Sequence, residues 1–238
     1  LLVKAAETVI SGDIKEEDSL LKYIDTRIIE TPSVALGQVS KEVLRMGEKA
    51  AKNLKTSSEA FYSKDDGLIE EVMQGEKRVN EMEKGITEYL VQLSNASLSD
   101  EQHNMVNTLF HVINDIERVS DHSENVAELT EYRIDDDLWF TDEAIDELHI
   151  MFDKVQTLYE NALKSIENMD KELAMKVIKE EEEIDIMEKK YRLSHVERLN
   201  SRTCKLGSGI VYLDIISNLE RVADHSSNIA NYVIDITE

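Results

Sequence analysis

Proline occurs once in the 238 residues, glycine eight times and cysteine once. So few helix breakers and turn formers exclude a β-sandwich or barrel, whose many short strands need frequent turns. The single cysteine, Cys204, excludes an intramolecular disulfide framework and a cysteine-rich zinc site. No run approaches the ~18–20 consecutive apolar residues of a membrane span. No signal peptide is predicted, because a Lys-rich start and a small-residue cleavage site are both missing. Gly-x-Ser-x-Gly and a Walker loop are absent too, so nothing supports nucleophilic catalysis or a phosphate-cradling loop. Basic residues are the scarce charge: 27 Lys and Arg stand against 50 Asp and Glu, a formal net charge of -23. Such a surface repels a phosphate backbone, which argues against nucleic acid as a partner, and it collects cations.

What is present is helical periodicity. Leu109, Val112, Ile113, Ile116, Val119 and Ala127 recur at three and four residues, as do Leu148, Phe152, Val155, Leu158, Tyr159 and Ala162. Thr31-Pro32 reads as a cap followed by proline at the first helical position. Ser99 with Gln102 reads as a capping box, and Thr141-Asp142-Glu143 as a cap with two acids at the positive end of a helix. Breaks are expected at 63–67, 94–97, 133–137, 168–170 and 205–209. The pattern predicts an all-α chain of six long helices at 33–62, 67–94, 100–133, 142–168, 171–203 and 209–236. Short connections between long amphipathic helices imply antiparallel neighbours. The first 30 residues form a separate segment, expected to hold a short helix to about Ile10 and a linker through Asp25.

An internal repeat organises the rest. Residues 114–128 match 217–231 at eight of fifteen positions, sharing Glu-Arg-Val-x-Asp-His-Ser-x-Asn-x-Ala at an offset of 103. A fainter match pairs 72–83 with 177–188 at an offset of 105. A duplicated unit of three helices follows, hence two tandem three-helix bundles of antiparallel helices rather than a solenoid of short repeats. The expected division is a linker over 1–32, a first bundle over 33–137 and a second over 138–238.

The repeat carries Glu117-x-x-x-Asp121 and Glu220-x-x-x-Asp224. Residues four apart stand one above the other on a helix, so each pair points one way. Asn125 and Asn228 extend the same edge. The preceding helix offers Glu181-x-x-x-Asp185 with Glu188 alongside; its first-unit counterpart is Glu76-x-x-x-Asn80 with Glu83. If the second and third helices of each unit are antiparallel neighbours, their carboxylates meet along one edge. Converging carboxylates are hard oxygen ligands that suit magnesium, manganese, calcium or ferric iron better than copper or zinc. The bland alternatives are a solvated acidic face, or Arg118 and Arg221 pairing with Asp121 and Asp224. His122 and His225 point about 100° from the adjacent aspartates, so one ion cannot readily take both. Ser120 and Ala223 stand where a ferritin-like di-iron site needs histidine.

At Ile116–Ala127 and Leu219–Ala230 the sequence resembles the PhoU family, which carries two such copies, each on the third helix of a three-helix bundle. The resemblance implies a regulatory module of phosphate transport and not an enzyme. It also implies metal ions (iron, zinc, magnesium or manganese) at Glu117, Asp121, Glu220, Asp224, Glu181, Asp185 and Glu76. Asn80 departs from the family's aspartate. The stretch Tyr23–Leu36, running into Gln38–Met46, resembles the junction after the last membrane span of bacterial sodium/phosphate symporters that end in a cytoplasmic PhoU-like domain. The start at Leu1, without methionine, agrees with an excised piece. The implied partners are a membrane transporter domain of the same chain, other phosphate-signalling proteins, metal cations and a second copy in a homo-dimer. A free-standing PhoU-type negative regulator of a phosphate ABC transporter and its sensor kinase is the alternative. A metal-dependent phosphatase and a ligand-free scaffold are the remaining readings.

Overall fold

The computed structural model describes residues 20–237 of the chain; the expected helix to Ile10 and the first part of the linker lie outside them. Six long helices make up nearly all of it: α1 (Pro32–Ser63), α2 (Asp66–Ser94), α3 (Asp100–Asp135), α4 (Asp142–Asn168), α5 (Lys171–Asn200) and α6 (Leu206–Thr237). Their starts follow from capping chemistry. The Ser99 hydroxyl accepts from Gln102 N while the Gln102 side chain accepts from Ser99 N, closing the capping box. Thr141, Asp65 and Asp170 cap α4, α2 and α5, each side chain accepting one backbone N–H of the first turn. Pro32 occupies the first turn of α1, although Thr31 makes no side-chain cap bond. With glycine scarce, the chain reverses on non-glycine residues in the left-handed region: Lys64, Asp137, Met169 and Arg202.

The largest departure from the sequence expectation is at the last helix, which begins at Leu206 rather than 209, while α5 stops at Asn200 rather than 203. The Gly207-Ser208-Gly209 stretch is helical and not a break. A Cβ on Gly209 would lie 2.5 Å from the His195 ring, so that glycine is there for close approach of α5. The Ser208 hydroxyl donates to the Trp139 carbonyl at 2.6 Å, tying the start of α6 to the segment before α4.

Helices α1, α2 and α3 pack together as one bundle and α4, α5 and α6 as a second. The bundles join where α3 lies against α6, with α1 also touching α4. One apolar core runs through both, from Val39, Met46 and Leu90 through Ile116 to Phe152, Tyr159 and Ile216. At the end of α1, Arg133 donates to the Phe61 carbonyl at 2.6 Å, with its guanidinium over the Phe61 and Phe140 rings. Among the described residues no helix is long and apolar enough to cross a membrane.

Residues 20–31 form a strap ahead of α1. Glu42, fully buried on α1, accepts from Lys22 N at 2.9 Å and Tyr23 N at 2.7 Å. Arg45 pairs with Glu42 and donates to the Leu20 carbonyl. The Tyr89 hydroxyl on α2 donates to the Asp25 carbonyl at 3.2 Å. Asp25 caps the short 3-10 helix Thr26–Ile28.

Candidate metal centre

The helical period sets Glu181 and Asp185 one turn apart on one edge of α5, and the contact with α6 brings Asp224 to them. Each of the three offers a carboxylate oxygen within 4.8 Å of the other two. Asp224 is exposed and the other two half-buried, so the cluster opens toward solvent. Burial, then Asp185, Asp224 and Glu182, push the Glu181 carboxyl up to about 7. Burial and Asp185 raise Asp224. Glu220 lies one turn earlier on α6 and is raised by burial, Asp224, Asp185 and Glu188. Lys189 approaches Asp185 at 3.4 Å, and Arg192 pairs with Glu188. Among the described residues no Arg221–Asp224 ion pair closes, although Arg221 is near enough to lower Asp224 electrostatically.

The first bundle is organised differently. Asp121 accepts from Arg118 at 3.2 Å, and Glu117 lies 3.7 Å from the same guanidinium. Glu76 accepts from the Asn80 amide at 3.1 Å. Glu117 is raised by burial first and then by Asp121, with Glu83 and Glu76 adding to it, so the expected edge does gather. Its acids are partly satisfied by Arg118 and by Asn80, the residue that departs from the repeat. Among the described residues only Glu181, Asp185 and Asp224 form a tight carboxylate trio.

The duplicated histidines do other work. His122 and His225 stack at 5.6 Å between ring centroids where α3 meets α6. The ring Nδ1 of His225 bonds Asp115 Oδ1 at 2.8 Å, and Asn228 Nδ2 donates to the same oxygen at 3.2 Å. Reciprocally, His122 Nδ1 and Asn125 Nδ2 bond Asn218 Oδ1 at 2.9 and 3.1 Å. Asp115 and Asn218 are themselves 103 residues apart, so the joint is quasi-two-fold with one charge difference. Asn125 and Asn228 thus turn to the bundle joint and do not extend the acid edge. Burial holds His122 below its ordinary value. The sequence reading missed Asp115 and Asn218 because they differ in the two copies; their equal place in the repeat was the available signal.

The raised carboxyls set a pH dependence. A group whose folded pKa exceeds its unfolded value binds its proton more tightly when folded, so stability rises as pH falls. For Glu181 the rise belongs to the range from about 7 down toward 4.5. Thermal unfolding in metal-free buffer is expected to shift upward as pH falls through that range, and Glu181→Gln to flatten part of the rise. A midpoint that falls steadily instead would contradict the crowding of these acids.

Two segments, 43–130 and 138–233, each match the PhoU domain. A PhoU homologue of Thermotoga maritima, called a phosphate-specific transport system accessory protein, is 28% identical over 199 residues, covering 83% of this chain and 85% of that protein. A putative inorganic phosphate export protein of Salmonella typhimurium is 22% identical over 241 residues, covering 95% of this chain but 42% of that protein. The crystal structure of PhoU from Pseudomonas aeruginosa superposes with a TM-score of 0.80 at 23% identity, covering 85% of this chain and 96% of that one. A phosphate transport system regulatory protein PhoU from Streptococcus pneumoniae follows at a TM-score of 0.79 and 18% identity, covering 87% and 97%. These relatives are named as accessory, regulatory or export proteins and not as enzymes. With both halves matching the same domain on the duplicated helical frame, the chain belongs to the PhoU family.

Proposed function

We propose that this chain is the cytoplasmic regulatory part of a sodium-dependent phosphate transporter, holding cations on its acid edges and adjusting phosphate flux through the membrane domain. The observation that carries this reading is the likeness to the phosphate export protein. It spans 95% of this chain, which leaves too few residues unmatched to omit the strap ahead of α1, and takes up only 42% of the longer protein. In this reading residues 1–32 lead from the membrane, and 33–137 and 138–238 are the two bundles. The strap, clamped by Glu42 and Tyr89, passes movement between the bundles and the membrane part. The alternative of a free-standing regulator rests on relatives such as the Thermotoga protein, which this chain covers over 85% of their length. Phosphate flux into vesicles carrying the full-length protein, compared with a form lacking 33–238, separates the two. Unchanged flux, with a changed phosphate-responsive gene output, would favour the alternative.

The donor set fits a hard cation. Glu181, Asp185 and Asp224 offer oxygen only, within the mutual reach of a single ion, and a cation relieves the repulsion that raises Glu181 and Asp224. Glu220 stands ready as a further ligand on the same edge, while Glu117, Asp121 and Glu76 supply a second site that must displace Arg118. Asp224→Ala is expected to weaken cation binding at the second bundle by about 100-fold or more, beyond the 10–100-fold cost of losing an outer-shell partner. Asp121→Ala should leave that site intact. Calorimetry with manganese and magnesium, together with metal analysis, reads both. Equal binding by wild type and Asp224→Ala would remove the assignment.

A further inference from the structure

The groove between α1 and α2 holds positive charge that the bundle does not neutralise. Lys49, half-buried on α1, feels Arg45 and Lys52 of its own helix and Arg78 of α2. Burial, then Arg45, Arg78 and Lys52, hold its ammonium below the ordinary value, with Glu48 opposing. Arg45 belongs to Glu42, and Lys52 pairs with Glu71 at 2.7 Å. Among the described residues Lys49 closes no ion pair. The second bundle answers the same charge. The 105-residue offset carries Lys49 to Lys154 and Arg78 to Glu183, and Lys154 donates to Glu183 at 3.3 Å. Lys64 and Met169, the left-handed residues that end α1 and α4, stand at the same offset. One fold position is therefore an ion pair in the second bundle and two cations in the first. A half-buried ammonium without a counter-charge is costly, and a chain of net charge -23 has acids to spare.

The course of the strap selects the occupant. Its Asp25 carbonyl meets Tyr89, and Leu21 lies over Gly85, where a Cβ would come within 2.9 Å of the leucine side chain. Four residues of strap thus climb one turn of α2. On α1 the strap backbone climbs from Glu42, which holds Lys22 N and Tyr23 N, to Arg45, which holds the Leu20 carbonyl. Lys49 stands one turn, about 6 Å, beyond Arg45 in the same direction. Read backward from Leu20, the sequence continues Ser19, Asp18, Glu17 and Glu16. At about 3.3–3.6 Å per residue, Asp18 is at most about 7 Å and Glu16 about 14 Å from Leu20. The acidic run therefore reaches Lys49 and Arg78.

We infer that the groove at Lys49 and Arg78 is an anion site filled by the chain's own Glu16, Glu17 and Asp18, which extend the strap antiparallel to α1. This goes beyond the regulatory reading and rests neither on it nor on a bound cation. A carbodiimide joins a carboxylate to an amine in direct contact, so on the full chain it is expected to link Lys49 to one of residues 16–18. The Lys52–Glu71 pair serves as internal control. Glu16→Gln with Glu17→Gln and Asp18→Asn should speed amide exchange at Leu21, Lys22 and Tyr23 by about tenfold, a change of ~1.4 kcal/mol. Exchange in α4 and α5 should not change. At about 1 M salt, where screening acts within about 3 Å, wild type and the neutral variant should become alike. Arg78→Glu, which gives the first bundle the ion pair of the second and so spares the fold, should suppress the link at Lys49 and loosen the strap as the neutral variant does. Lys49 failing to link to residues 16–18 while Lys52 links to Glu71 overturns the inference. So does a neutral variant whose strap amides exchange at the wild-type rate in low salt, or undiminished linking in Arg78→Glu.

Discussion

Asp115→Ala is expected to destabilise the chain by about 1–3 kcal/mol, because it removes a buried acceptor shared by side chains of a second helix. Asp115 is 4% exposed and sits on α3, yet its partners are on α6: His225, Asn228 and the neighbouring Tyr232. Burial, with Asp115 adding to it, pushes the Tyr232 phenol up to about 12. Alanine removes the buried acceptor that these part-exposed donors of α6 share. Asp115→Asn is expected to cost only about 1 kcal/mol, because Asn218 already serves His122 and Asn125 from the equivalent place. Urea unfolding of both variants, with His225→Ala and the double variant to complete a cycle, reads the coupling. Additive losses at Asp115 and His225 would show that the bundle joint is held by apolar packing alone.

Glu42→Ala should be more severe, about 3–5 kcal/mol, because it removes half of a buried ion pair. The Arg45 side chain is 15% exposed and would keep its charge without its carboxylate. Lys22 N and Tyr23 N would lose their shared acceptor, and residues 20–31 would come away from α1. The loss has a spatial signature that global destabilisation lacks. Amide exchange should accelerate first at Lys22 and Tyr23, with α4 and α5 still protected. Glu42→Gln keeps an acceptor oxygen and should hold the strap better than alanine does. Uniform acceleration across all six helices would mean that the strap is not a separately anchored element. The proposed path from a membrane domain into the bundles would then lose its first link.

Much of this was readable from residues alone, for local reasons. Ser99 with Gln102, Thr141 and Pro32 marked helix starts because capping is settled within one turn. The apolar period marked the buried faces, and the repeat marked the duplication. The end of α5 and the start of α6 were less readable. Glycines 207 and 209 look like a break to a local rule, but Gly209 is required by the approach of His195 from another helix. Glu42 offered no sequence signal at all: a glutamate on an amphipathic helix is ordinarily solvated, and its burial depends on a strap twenty residues earlier folding over it.

The acid edges divide the same way. Four-residue spacing by itself determined that Glu117 with Asp121, Glu181 with Asp185 and Glu220 with Asp224 share an edge, because helix geometry permits nothing else. Tertiary structure decided which of them meet. Asp224 reaches Glu181 and Asp185 across α5 and α6, whereas Arg118 and Asn80 engage the matching residues of the first bundle. It also decided that the repeated histidines and asparagines clasp the two bundles. Charge and spacing propagate along one helix, but the partner of a side chain is set by how helices cross, and that comes from the packing of the whole core.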